Sequence, residues 1–185
     1  MRYILALLPS EQQKAAYIQV AQTVFSQICD GYLLTERKSL PHITLGSFQC
    51  DDEKLCEICK HVEQWQTQSC SIRMMGLMLK KGKIPPHHYS VSLSIARDPA
   101  ILHLHHLTVN ILNSFNIDTI NPIQDLYFPH LTLAGIRFAP SEIVSLSSTI
   151  DDLIAMKVDP FHLALGKGDD IGQYLETLRE FKETR

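Results

Sequence analysis

Apolar and polar positions along this chain sort into short segments with two different periods. Arg2 to Leu8 is a nearly unbroken apolar run and predicts a buried strand. Tyr17, Ile18, Ala21, Val24, Phe25 and Ile28 then recur at helical spacing behind a Ser10-Glu11-Gln12-Gln13 capping box, so a helix is expected to about Cys29, stopped by Gly31. Pro41 to Phe48 reads as a strand. Asp51-Asp52 opens a second helix with negative charge at its positive end, and Leu55, Ile58, Val62 and Trp65 mark its buried face. Cys70 to Leu79 reads as one strand. From Tyr89 to Ile95 the chain alternates strictly, with Tyr89, Val91, Leu93 and Ile95 on one face and Ser90, Ser92 and Ser94 on the other.

The second half continues in the same manner. Pro99 opens a third helix with Ile101, Leu104, Ile111, Leu112 and Phe115 inward. Leu126 to Ile136 reads as a strand. Pro140-Ser141 starts a fourth helix, and Phe161 to Leu165 is a further strand. Ile171, Tyr174, Leu178 and Phe181 keep helical spacing, so the tail is expected to be a helix. Strands and helices alternate, yet hairpin-like neighbours such as 70–79 and 88–96 also occur. The expected class is α+β, with helices outside antiparallel-rich sheets.

One segment repeats. Pro41-His42-Ile43-Thr44-Leu45 returns as Pro129-His130-Leu131-Thr132-Leu133, 88 residues later. Each copy falls in a predicted strand of a separate half, which suggests two similar lobes facing each other. Residues two apart in a strand share a face, so His42 points with Thr44 and His130 with Thr132. Facing lobes would bring two imidazoles and two hydroxyls to one cleft. A single His-x-Thr in a strand is commonly structural; two in the same frame point to chemistry. Phosphodiester cleavage needs one proton removed from the nucleophile and one given to the leaving oxygen, and histidine does either near neutral pH. Threonine hydroxyls donate to the phosphate oxygens where charge builds up.

These motifs, with the Arg2-to-Leu8 strand and the order of elements between them, resemble the two-histidine (2H) phosphoesterase superfamily over nearly the whole chain. That superfamily includes the bacterial RNA 2′,3′-cyclic phosphodiesterases, also called 2′-5′ RNA ligases. The resemblance implies one domain over residues 1–185, made of two pseudo-symmetric lobes around an active-site groove. It also implies that His42 protonates the ribose leaving oxygen, His130 activates water, and Thr44 and Thr132 hold the phosphate. The chain departs from the family where many members place an arginine soon after the second motif. Ala134-Gly135 stands there, and Arg137 comes slightly later.

Composition narrows the partners. The 185 residues, 45% hydrophobic and 20% charged, are enough for a sizeable core. A net charge of −3 gives no overall basic field for long nucleic acid. Any nucleic acid substrate is therefore expected to be short or held by a local cluster of cations. The resemblance implies an RNA end, a short oligonucleotide or a cyclic nucleotide, and the expected protein is a monomer with no cofactor, metal or membrane. The alternatives are a 2′-5′ oligonucleotide phosphodiesterase and a non-catalytic nucleotide- or RNA-binding module of the same fold. Lys80 and Lys83, in a Gly- and Pro-rich loop, are candidates for meeting the substrate, or tips of a solvated hairpin. Phe128 has the parity of His130 and is a candidate for stacking on a base; Arg137 is a further candidate contact. His103 and His106 are expected on a solvent-exposed helix face. Five cysteines without a signal segment are expected as free thiols in the cytoplasm, with Cys56-x-x-Cys59 packed as small core residues.

Overall fold

The structure, a computed structural model, describes residues 1–26, 29–67, 69–81, 89–120, 127–137 and 158–181. Lys83 and the expected helix from Pro140 lie outside these residues. Among the described residues, three helices and two antiparallel sheets make an α+β fold. The first sheet contains β1 (Arg2–Leu8), β3 (Ile43–Gln49), β4 (Ser69–Cys70), β8 (Phe161–Gly168) and β9 (Tyr174–Glu180). Its order is β3-β1-β8-β4, with β9 pairing further along β8. The second sheet runs β2-β7-β6-β5, from β2 (Cys29–Leu33), β5 (Met74–Lys81), β6 (Tyr89–Ile95) and β7 (His130–Ile136).

The helices begin as their sequences dictate. Helix α1 (Glu11–Phe25) is capped by Ser10, whose hydroxyl accepts from the Gln13 amide. Helix α2 (Asp52–Glu63) is capped by Asp51 through the Lys54 amide at 2.8 Å. Helix α3 (Pro99–Ser114) starts on a proline, whose missing N–H costs nothing at that position.

Connections interlock the two sheets. Helix α1 leaves β1 of the first sheet but packs on β7 of the second, and α3 leaves β6 of the second but packs on β3 of the first. One hydrophobic cluster therefore contains Leu5, Leu7, Leu45 and Leu163 together with Leu93, Leu131 and Leu133. Strands β3 and β7, the two that carry the repeated motif, come close to each other.

Four expectations about elements need correction. The tail is a strand, β9, and not a helix. As an edge strand it exposes most of its side chains, so no alternation marks it, and the spacing of Ile171, Tyr174, Leu178 and Phe181 imitates a helix. Helix α1 ends at Phe25, and Cys29–Leu33 is a short edge strand with too few apolar positions to declare itself. The run from Cys70 to Leu79 is divided: β4 pairs with β8 in the first sheet, β5 with β6 in the second, and residues 71–73 pass between them. The second motif strand starts at His130, because Pro129 has no amide hydrogen for a ladder.

Candidate active site

The two motifs are built alike at the backbone. Each strand carries a bulge at the residue after its threonine. In β3, Ala6 pairs with Thr44 and Leu5 with Gly46, leaving Leu45 extra. In β7, Ser92 pairs with Thr132 and Val91 with Ala134, leaving Leu133 extra. Bulges re-aim side chains and increase local twist. Both leucines stay fully buried, while Thr44 and Thr132 are half-buried on the opposite face.

The imidazoles are also held alike. His42 Nδ1 lies 2.9 Å from the Leu40 carbonyl, and His130 Nδ1 lies 2.8 Å from the Phe128 carbonyl. A carbonyl only accepts, so in both rings Nδ1 carries the hydrogen and donates it. Nε2 is left as the nitrogen that can give or take a proton. The same contact two residues back in each copy fixes the tautomer as well as the ring direction.

Their surroundings differ. His130 is half-buried, whereas His42 is only 6% exposed, so the two imidazoles are not equally open to a cleft. The cover over His42 is Tyr174, with ring centroids 5.2 Å apart. Tyr174 also accepts, through its own carbonyl, the amide of Leu40, the residue whose carbonyl holds His42. Gly166 makes room for this ring, since a Cβ there would stand 2.2 Å from it. Burial holds the His42 imidazole down at about 4; the Leu40 contact opposes this and the nearby charge of His130 adds to it. Burial likewise lowers His130, the Phe128 carbonyl opposes, and the Lys80 charge lowers it further. The two imidazoles are thus within electrostatic reach of each other, and Lys80, opposite Ser90 on β5, is within electrostatic reach of the second.

Hydroxyls line the second sheet beside His130. The register sets Ser94 opposite His130 and Ser92 opposite Thr132. Ser92 Oγ donates to Thr132 Oγ1 at 3.2 Å and lies 3.3 Å from Ser90 Oγ. Thr132 accepts from Ser92 and keeps its own hydrogen to donate elsewhere. The strand's other face, with Val91, Leu93 and Ile95, is in the core as the alternation implies.

No protein-family model and no curated protein sequence matches this chain. Solved structures do. Kluyveromyces marxianus Usb1 superposes at a TM-score of 0.53 over 96% of this chain and 95% of its own, at 13% identity. Usb1 of the same organism with uridine monophosphate superposes at 0.53 over 96% and 97%, at 12% identity. The protein TT0787 of Thermus thermophilus superposes at 0.56 over 99% and 98%, at 17% identity. The chain shares the fold of these structures.

Other sequence candidates take varied positions on this fold. Phe128 is 56% exposed, and the Arg97 guanidinium lies 5.8 Å from its ring centroid. Arg137 is exposed beyond the end of β7, roughly 16 Å of strand past Thr132. His103 and His106 are exposed on α3 as expected, but His105 between them is buried. All five cysteines are free thiols, with Cys59 buried and Cys56 exposed. Among the described residues no three His, Cys, Asp or Glu side chains gather at metal-binding distance. Among them, too, no helix is long and apolar enough to cross a membrane. Tyr174, which covers His42, and Tyr127, whose hydroxyl donates to the Thr44 carbonyl at 2.7 Å, carry no signal in the sequence pattern. Tyr174 keeps helical spacing with its neighbours, and Tyr127 precedes the second motif without alternating partners.

Proposed function

We propose that this protein is a phosphodiesterase that hydrolyses a 2′,3′-cyclic phosphate, at an RNA end or on a nucleotide, by acid–base catalysis with two histidines and no metal. The observation that carries this reading is the matched pair of imidazoles, each with Nδ1 tied to the carbonyl two residues back and Nε2 left for proton transfer. Neutral His130 takes a proton from water on Nε2, and the water oxygen forms a bond to phosphorus. The bond on the opposite side breaks, and the departing ribose oxygen takes the Nε2 proton of charged His42. A phosphomonoester and a free ribose hydroxyl result, and the proton gained by His130 returns to His42 through solvent. Thr44 and Thr132 donate to the non-bridging oxygens, where charge accumulates.

His42 is neutral in the free protein at pH 7, because burial holds it near 4. It takes up its proton when a phosphodiester anion enters, since a neighbouring negative charge favours the imidazolium. Phe128, exposed beside His130 and already approached by Arg97, offers a ring face to a base. Lys80, opposite Ser90 on β5, lies within electrostatic reach of His130 and adds positive potential for a substrate phosphate. The Usb1 structure with uridine monophosphate, on a similar fold, supports a nucleotide as the bound class.

The test is hydrolysis in excess EDTA of 2′,3′-cyclic nucleotides, 2′-5′ oligoadenylate and 3′-5′ RNA in parallel. The cyclic nucleotides are expected to be opened fastest. Preference for 2′-5′ oligoadenylate would replace the substrate, binding without turnover would make the chain a binding module, and activity restored only by added metal would replace the mechanism.

A further inference from the structure

Among the described residues, strand β3 has only one strand neighbour in its sheet. It lies at the end of the sheet order, so the bulge after Thr44 has no second strand to satisfy it. In β7 the corresponding bulge carbonyl, that of Leu133, accepts the Leu34 amide at 3.1 Å from the β2 side. In β3 two side chains take over this role. Tyr127 donates its hydroxyl to the Thr44 carbonyl at 2.7 Å, and His105 Nδ1 donates to the Leu45 carbonyl at 2.7 Å. Their rings stack with centroids 4.0 Å apart and planes 6° from parallel. Both residues are buried, and they arrive from different places: His105 from α3, Tyr127 from the segment that leads into the second motif.

We infer that His105 and Tyr127 are positioning residues, a stacked pair that stands in for a missing strand and sets the first His-x-Thr motif against the second. Two consecutive carbonyls of β3 are gripped by this pair, directly after His42 and Ile43. Tyr127 is also adjacent to Phe128, whose carbonyl orients His130. One short segment therefore holds the backbone of the first motif with a side chain and the imidazole of the second with its main chain. The spacing between the two histidines follows from that shared hold. The catalytic part of this inference rests on the proposed phosphodiesterase reading; the positional part does not.

The test uses the full chain, labelled with ¹⁵N, in three variants. Tyr127→Phe keeps the stack and removes only the hydroxyl. His105→Leu removes the donor to Leu45. His105→Asn keeps an amide donor near the place of Nδ1. The His42 ring resonances are expected to move in Tyr127→Phe and His105→Leu, and to return most of the way in His105→Asn. The exposed rings of His103 and His162 should stay in place in Tyr127→Phe. With an active protein, kcat should fall about 10-fold in Tyr127→Phe, a fraction of what a misplacement of about 1 Å costs, while KM changes little. Unmoved His42 resonances in the folded Tyr127→Phe variant would overturn the inference, and so would moved resonances with unchanged kcat. If the wild-type chain hydrolyses none of the substrates, the phosphodiesterase reading fails by itself and the His42 resonances alone decide the pair.

Discussion

Ser92 Oγ donates to Thr132 Oγ1 across the β6–β7 ladder at 3.2 Å. Ser92 is fully buried, and its contact with the threonine leaves the Thr132 hydrogen free to donate, in the proposed reaction to a phosphate oxygen. Ser92→Ala removes this orientation without touching the phosphate. A neutral hydrogen bond is worth about 0.5–1.5 kcal/mol net, so turnover should fall by about 2–10-fold. Thr132→Ala deletes the donor itself and should cost more, on the order of 10–10²-fold. Steady-state kinetics on the two variants and their double mutant check this; a serine variant worse than the threonine variant would reverse the order of the hydrogen-bond chain.

The pH profile should differ between the free protein and its complex. Burial lowers His42 to about 4 and holds His130 below its ordinary value of 6.5. Turnover needs one imidazole charged and the other neutral, so kcat/KM, which reports the free protein, should follow a bell centred below about 6.5. A bound phosphodiester anion raises both histidines, and the bell for kcat should lie at higher pH. The limbs belong to the coupled pair and not to either residue alone. Coincident bells centred above about pH 7 would contradict these electrostatics of the site.

The same burial of His42 appears in stability. The unfolded chain protonates this histidine near 6.5, while the folded chain does so only near 4. Between those values the unfolded state holds more protons, so the stability present above pH 6.5 is lost as pH falls toward 4. The loss from this residue is on the order of 3 kcal/mol. His42→Asn should flatten that slope. Urea unfolding at about pH 7, 5.5 and 4.5, for both proteins, measures the difference, and equal slopes would show that His42 is not held neutral by the fold.

Gly166 gives access to the ring that covers His42. A methyl group there would meet the Tyr174 ring at 2.2 Å and the Glu176 carbonyl at 2.5 Å, so the ring over His42 has to move. Gly166→Ala should destabilise by about 1–3 kcal/mol, as overpacking does. It should also raise the pH at which His42 titrates, because its cover is displaced. A thermal melt and an NMR titration of the His42 ring read the two effects; a variant with lowered stability and an unchanged His42 titration would separate Tyr174 from the histidine.

What depends on pattern is legible in the sequence, and what depends on geometry is not. His42, Thr44, His130 and Thr132 stand out because one short frame occurs twice, and the hydroxyl face of Ser90, Ser92 and Ser94 because it alternates with core residues. The bulges after the threonines leave no mark, since a leucine that is extra in the ladder looks like any buried leucine. His105 sits between the exposed His103 and His106, yet Leu104 and Thr108 beside it are fully buried and it turns inward with them. Tyr174 belongs to an edge strand of seven residues with little buried surface, where helical spacing describes the sequence equally well. Arg137 is near the second motif in sequence, and the length of β7 carries it away.

That His42 and His130 act as a pair on one phosphodiester is tested most directly by a set of hydrolysis rates. The substrate is a 2′,3′-cyclic nucleotide in excess EDTA, and the proteins are the wild-type chain, His42→Ala, His130→Ala and the double variant, with His103→Ala as a control. Each single change should lower kcat by about 10²-fold or more, since each removes one proton transfer. The double variant should be little worse than the poorer single one, because the residues work as a unit. The control should match the wild type. Full activity in His42→Ala or His130→Ala, or losses that multiply in the double variant, would contradict the pairing of the two histidines.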